Sequence, residues 1–287
     1  MSTTPQIRLS RKNPYGWTPE ALKEIIAEKV EGIWIPKHDE KGHHYLHSET
    51  GTLVDSVTTQ DIIDKPHLIP WAVEMGLNYY FDRQEFDSPD NRPRLIKEAK
   101  LAYRTTRDDA GAVGTSAHGV LDKYVTEWIK TGIRPDSVKY TDRPCLDARS
   151  IAGIRSGLQL FDRYNIIPIA SEIIVGDVKA KSAGTLDLFC LFEGKPWIID
   201  WKSSNRVSGN YALQVAAYCR FFYRMTGVHI KGCDIAHISK DYDKVTLYRV
   251  LNLSAAYTAF HNMSKVYQWR ENGLPKLEER KNKLIIA

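Results

Sequence analysis

Residues 183–204, AGTLDLFCLFEGKPWIIDWKSS, set Asp187, Asp200 and Lys202 inside runs that are otherwise apolar or aromatic. This feature limits the fold more than any other in the chain. An ionised group taken out of water costs several kcal/mol unless it is paired or binds a metal. GTLDLFCLF and WIIDW have the composition of strands, and Glu193-Gly194 between them is a turn signal, so the segment predicts a β-hairpin. With those two residues as the turn, Phe192 faces Lys195, and counting back sets Asp187 opposite Asp200. Facing residues of an antiparallel pair share a side, with Cβ atoms about 4.5–5.5 Å apart. Lys202, two residues beyond Asp200, returns to that side. Two carboxylates and an ammonium on one spot are poor scaffold but suit a divalent cation with oxygen ligands. A salt-bridged hairpin is the plainer alternative.

Asp187 followed by Asp200-Trp201-Lys202 after a short hairpin resembles the signature of the PD-(D/E)XK nuclease superfamily. Three more stretches strengthen the likeness. NYALQVAAY holds Gln214 and Tyr218 in the Q-x-x-x-Y spacing of the RecB-like branch, and GTSAHGVLDKYV places His118 where that branch has its metal-binding histidine. IASEIIV supplies Glu172, fifteen residues before Asp187. The resemblance covers residues 110–220 and implies a restriction-endonuclease-like α/β core, with a central mixed sheet flanked by helices in the order αβββαβ. It also implies a site: Asp187, Asp200, His118 and the backbone carbonyl of Trp201 holding one or two Mg²⁺ or Mn²⁺ ions. Lys202 would orient the attacking water, and Glu172 would serve a second ion. Gln214 would hold Lys202 or a nucleotide, with Tyr218 packed behind it.

Each element also has a structural reading. His118 alone reads as a packed or capping histidine, and Glu172 as a solvent-facing strand residue. Tyr211, Gln214 and Tyr218 recur at i, i+3 and i+7 on one helix face, which makes the tyrosines core or near-core residues. Ser56-Val57-Thr58, with Lys65-Pro66 and Trp71-Ala72 downstream, resembles the front end of mitochondrial genome maintenance exonucleases and related phage proteins, placing Ser56 and Thr58 among the nucleic-acid contacts.

The organisation expected is an N-terminal helical and hairpin extension, 1–94, packed on a nuclease core, 95–287. HYLHSETGTLVDSVTT reads as a strand or hairpin, TQDIIDKPHLIPWAVEMGLNYYF as helical and DSPDNRP as a loop. One long helix is predicted from about 95 to 130, broken or bent near Gly111 and Gly114, and a second over 146–164. Strands near 167–175, 183–192 and 197–202 precede a helix over 210–225. Strands near 232–239 and 243–250 and a closing helix over 254–272 complete the chain. Lys97, Lys100, Arg104 and Arg107 fall on one face of the first long helix, a basic stripe that could follow a phosphate backbone or simply be solvated. Trp201, Tyr211 and Tyr218 could stack single-stranded bases.

A net charge of +5 is too modest to name a partner. No apolar run is long enough to cross a bilayer, so no membrane partner is expected. The opening MSTTPQIRLSRKNPYGW has no apolar segment, which argues against secretion. The expected location is cytoplasmic, or the host cytoplasm for a virus-encoded protein. The acid-free opening with Arg8, Arg11 and Lys12 leaves a mitochondrial presequence as the alternative. Cysteines 145, 190, 219 and 233 form no C-x-x-C pair and suit free thiols in a reducing compartment. Some RecB-like nucleases bind an iron–sulfur cluster through a C-terminal cysteine group, and no cysteine follows Cys233, so no cluster is expected. His38, His43, His44 and His47 lack regular ligand spacing and read as histidines of an exposed hairpin rather than a zinc site. The expected activity is metal-dependent DNA hydrolysis, by an exonuclease preferring single strands or ends. A site- or structure-specific endonuclease and a non-catalytic nucleic-acid-binding module are the alternatives.

Overall fold

The computed structural model describes residues 16–39, 42–63, 65, 68–142, 146–240 and 244–271. Helix α1 (Pro19–Lys29) begins at Thr18, whose hydroxyl accepts from the Ala21 amide, with Pro19 in the first turn. There the missing N–H would have had no intrahelical partner. Strands β1 (Trp34–Asp39), β2 (Gly42–His47) and β3 (Leu53–Ser56) follow, then α2 (Leu68–Phe81), a 3-10 turn at Gln84–Phe86, and α3 (Arg92–Ala99). Next come α4 (Ala102–Thr131), α5 (Val138–Thr141) and α6 (Ala148–Arg163), the last capped by Asp147, which accepts from the amides of Arg149 and Ser150. Strands β4 (Ile166–Asp177), β5 (Ser182–Phe192) and β6 (Lys195–Lys202) lead to α7 (Tyr211–Thr226), β7 (Gly232–Ile238), β8 (Val245–Arg249) and α8 (Leu253–Glu271). From α6 to β7 the order is helix, three strands, helix, strand, as expected.

The described strands form one mixed sheet, ordered β1-β2-β3-β5-β6-β7-β8, with β4 also paired to β5. β3 runs parallel to β5, and β6 parallel to β7; the other pairs are antiparallel. The N-terminal strands therefore extend the same sheet as the core. Helices cover both faces. One core gathers Leu22, Phe189, Tyr218, Phe221, Phe222 and Phe260 under α1, α7 and α8. The other gathers Leu121, Tyr124, Ile154, Phe161, Leu188 and Trp201 under α4 and α6. Burying large side chains of this kind is worth roughly 1.5–3 kcal/mol each, which is what drives both layers onto the sheet.

The β5–β6 hairpin has the predicted register. Glu193 and Gly194 both have positive φ, 51° and 75°, as a two-residue turn of matching twist requires. Pairing runs from Phe192–Lys195 to Leu188–Ile199 and stops there. β4 occupies the other edge of β5, so β3 must share the β6 edge, and it reaches only Ser182 and Ala183. Neither neighbour pairs with residues 184–187. The gap opens at Asp187.

The regular side-to-side alternation also fails at that level. Ala170 and Ile173 on β4, and Leu186 and Phe189 on β5, all join the α7-side core, although each pair is three residues apart. Between them Leu188 joins the α4-side core. Glu172 sits at this reversal with φ 52°, a left-handed conformation costing a non-glycine residue about 1–2 kcal/mol.

The single helix predicted over 95–130 is two helices. α3 ends at Ala99, the Leu101 amide bonds the Glu98 carbonyl and the Arg104 amide the Leu101 carbonyl, a three-residue spacing that closes one helix and opens the next. α4 then runs uninterrupted through Gly111 and Gly114. A Cβ on Gly114 would stand 2.3 Å from Ser203 Oγ, so this glycine serves close approach of helix to sheet, not a bend. Within 59–81 the helix is α2 alone, and Pro66 lies outside the described residues, as does Cys145.

Candidate active site

The gap in the sheet collects the charged residues. Continuing the β5–β6 register sets Asp187 opposite Asp200, and continuing the β4–β5 register, Ser171–Leu188 and Ile173–Leu186, sets Glu172 opposite Asp187. Three strands thus bring three carboxylates to one row. Where the ladder stops, the Asp187 carboxylate replaces the missing backbone acceptor: the Trp201 amide donates to Asp187 Oδ2 at 2.7 Å. This satisfies a buried N–H and fixes the carboxylate. Asp200 has no exposed surface, and the Lys202 ammonium pairs with it. Lys202 also lies 5.1 Å above the Tyr211 ring, whose hydroxyl donates to Ser204 Oγ at 3.1 Å.

From α4, His118 comes toward the same spot. Its Nε2 is buried without a hydrogen-bond partner among the described residues. Burial first, then the Lys202 charge, pushes its pKa down to about 4, with Asp200 pulling the other way, so near neutral pH its free nitrogen lone pair is available. Burial raises Asp200 to about 6, with Lys202 opposing and Asp187 adding to the rise. The half-buried Asp187 is also raised, chiefly by loss of solvent. Glu172 is exposed as a residue, yet its carboxyl is pushed up to about 8 by desolvation and then by Asp187, Asp122 and Asp200. Lys202 keeps its proton more firmly than usual: burial alone would lower its pKa, but Asp200 and Asp187 outweigh it.

Asp122 is the member that sequence reasoning missed. It stands one turn beyond His118 on α4, accepts from Ser171 Oγ at 2.7 Å and Thr126 Oγ1 at 3.3 Å, and adds its charge to Glu172 and Asp187. The i, i+4 spacing of His118 and Asp122 was the available signal.

Several expected roles change. Gln214 does not hold Lys202: its Nε2 donates to the Tyr218 hydroxyl at 2.8 Å, which gives the amide a partner on an otherwise apolar helix face. Tyr218 is buried against β5, where a Cβ on Gly184 would come within 2.6 Å of its ring. The ring of Trp201 is buried too, beside Phe161, so neither Trp201 nor Tyr218 is open to stack a base; Tyr211 is half-buried. Lys97, Lys100, Arg104 and Arg107 are all exposed, but they are divided between α3, the intervening turn and α4, and Arg107 is paired with Asp108 at 2.7 Å. Ser56 is buried and bonded to Thr58, Oγ to Oγ1 at 2.8 Å, closing the end of β3, while Thr58 is exposed. The β1–β2 hairpin carries the histidines as expected, but only His38 and His43 are exposed, His47 being half-buried against Trp34. His44 is buried, Nδ1 at 2.8 Å from Asp55 and Nε2 at 3.1 Å from Asp39.

Oxygen-rich donors with one imidazole suit a hard divalent cation, and the partnerless His118 Nε2 and Asp200 Oδ1 are the atoms it would satisfy. As the side chains stand, no group of three or more His, Cys, Asp or Glu among the described residues is drawn together to hold a metal ion; Lys202 neutralises Asp200 instead. An apolar groove of about 640 Å³ between α2, α3 and α4, lined by Ile69, Val73, Leu77, Tyr80, Ile96 and Tyr103 among others, shares no residue with this cluster.

The chain matches no protein-family model and no curated protein. Among solved structures it is similar to the crystal structure of SSO0001, at 16% identity over 55% of this chain and 75% of that one, with a TM-score of 0.28. So slight a likeness carries no argument. None of the described helices is long and apolar enough to cross a membrane.

Proposed function

We propose that the protein is a metal-dependent nuclease that hydrolyses phosphodiester bonds in DNA, acting from ends or on single strands. The observation that carries this reading is the convergence of Asp187, Asp200 and Lys202 at the end of a hairpin with the partnerless His118 nitrogen. Carboxylates crowded into one row, with Asp200 among them fully buried, are unfavourable for stability alone, and crowding of this kind is typical of functional sites.

Asp187, Asp200, His118 and the Trp201 carbonyl would hold a Mg²⁺ or Mn²⁺ ion, which supplies a water acidic enough to ionise near neutral pH and positive charge for the leaving oxygen. Lys202, released from Asp200, offsets the charge of the scissile phosphate and orients the attacking water. Glu172 and Asp122 extend the acidic row and would order further water or a second ion. Tyr218 and Gln214 hold the α7 side of the site in place.

The test is end-labelled single- and double-stranded DNA, linear and circular, incubated with Mg²⁺, Mn²⁺ or EDTA, with Asp200→Asn as control. Metal-dependent release of end label from linear substrates alone is the expected result. Cleavage of closed circles would replace the exonuclease by an endonuclease. Binding without cleavage under any metal would replace the enzyme by a nucleic-acid-binding module.

A further inference from the structure

On the α7 and α8 surface, rings and cations collect away from the carboxylates. Neither helix carries an acidic residue before Glu271, whereas Arg220, Arg224, Lys265 and Arg270 are basic. Tyr223 and His229 stand 4.3 Å apart between ring centroids, and Tyr257 and His261 lie nearly parallel at 6.1 Å. The exposed Arg220 guanidinium bridges the two pairs, 5.7 Å from the Tyr223 ring and 5.9 Å from Tyr257. Arg224 is paired with Asp177, while Arg220 is committed to rings. His261 is pushed below its ordinary pKa by burial and then by Lys265 and Arg224, so those cations lie close to it.

Flat rings interleaved with cations, with no carboxylate on the same helices before the terminal Glu271, match one ligand chemistry. Single-stranded nucleic acid offers open base faces for the rings and phosphates for the cations. A duplex hides its base faces, and an acidic protein has no use for the rings. α7 also joins the two places: Tyr211 at its start lies beside Lys202, and Tyr223 is about 18 Å further along the axis at ~1.5 Å per residue.

We propose that Arg220, Tyr223, His229, Tyr257, His261 and Lys265 form a second binding surface for single-stranded nucleic acid, holding the part of the strand that is not at the carboxylates. The identity of the ligand rests on the nuclease reading.

The experiment measures binding of oligothymidylates of roughly 4 and roughly 16 nucleotides, which span usual single-strand site sizes, in EDTA, and their cleavage in Mn²⁺. Tyr223→Ala with Tyr257→Ala should weaken the longer oligonucleotide roughly fivefold or more per ring. Tyr223→Phe with Tyr257→Phe should restore it, because the faces remain. Arg220→Gln with Lys265→Gln, at exposed positions, should flatten the salt dependence for the longer oligonucleotide only. Cleavage of the shorter one should be unchanged in all three. Unchanged binding of the longer oligonucleotide in the alanine and glutamine variants overturns the inference, as does equal affinity for polyglutamate, a polyanion without bases. If the wild type binds but never cleaves while the variants still lose binding, the surface stands and the nuclease reading falls.

Discussion

Asp200 and Lys202 are two residues apart and touch each other, yet their replacement should have opposite consequences. Asp200→Asn removes one of the crowded carboxylates and leaves Lys202 the neighbouring charge of Asp187, so without metal it should melt no lower than wild type, gain little on adding Mn²⁺, and lose cleavage. Lys202→Ala leaves Asp187 and Asp200 without their ammonium. Breaking a buried pair in this way costs about 3–5 kcal/mol, so the metal-free variant should melt lower, recover more on adding Mn²⁺ by mass action, and cut at least ~10²-fold more slowly. Thermal melts with and without metal, beside cleavage rates, separate ligand from catalyst. The assignment fails if Asp200→Asn keeps full metal-dependent stabilisation and cleavage. The same crowding sets a pH dependence. Glu172 and Asp200 are raised to about 8 and about 6 from ordinary values of 4.5 and 3.8. Their contribution to metal-free stability is complete below those ordinary values and is lost as pH rises through 6 and then 8. His118, lowered from 6.5 to about 4, acts the other way, its contribution present above 6.5 and lost as pH falls toward 4. Between about pH 6.5 and 8 the carboxyls dominate, so in EDTA the Tm should fall as pH rises. A flat or rising Tm across that window would contradict the crowding.

At the scale of elements, the hairpin was legible because its signals are local: a turn pair that tolerates positive φ, strands with a period of two, and charges whose spacing can be counted. The kink in β4 and β5 was not. A strict period of two carries straight through IASEIIV, and only the packing of Ala170 with Ile173, and of Leu186 with Phe189, against one helix layer shows that the strands reverse there. Glu172 then becomes the position where the chain bears backbone strain beside its acids. Glycine adopts that φ freely, at an entropic cost of roughly 0.5–1 kcal/mol relative to alanine. Glu172→Gly should therefore melt higher than Glu172→Ala, the reverse of the usual order in a strand, and higher than wild type without metal, while cleavage falls in both. An alanine variant as stable as the glycine one would show the backbone relaxed. Asp122 escaped notice for another reason. A lone acid on a helix ordinarily reads as solvated surface, and Ser171 on the facing strand, not any neighbour in sequence, pins it inward. The division of α3 from α4 was hidden because the basic residues keep their helical spacing across the break, and Gln214 found its partner one turn along its own helix.

For the whole molecule, the sheet is one layer with an uneven set of joints. β3 is tied to β5 by the pairs Asp55–Ser182 and Ser56–Ala183 and by the Val57 amide on the Ala183 carbonyl, whereas β4 pairs with β5 along nearly its full length. Native-state hydrogen exchange should therefore show amides of β1–β3 opening at lower free energy than those of β4–β7; equal protection throughout would mean the two regions unfold as one. The sparse joint between β3 and β5 also shapes the site. A β-sheet is ordinarily a partition, and whatever reacts on one side of it is served only by the helices of that side. Along residues 184–187 the partition has a window. His118 from one layer and Tyr218 from the other both come close enough to act electrostatically with Asp200, so each layer can be altered without dismantling the other's contribution. Under the proposed function, substitutions on α4 would retune the ion and substitutions on α7 the strand, while the carboxylates in the frame stay where the hairpin puts them.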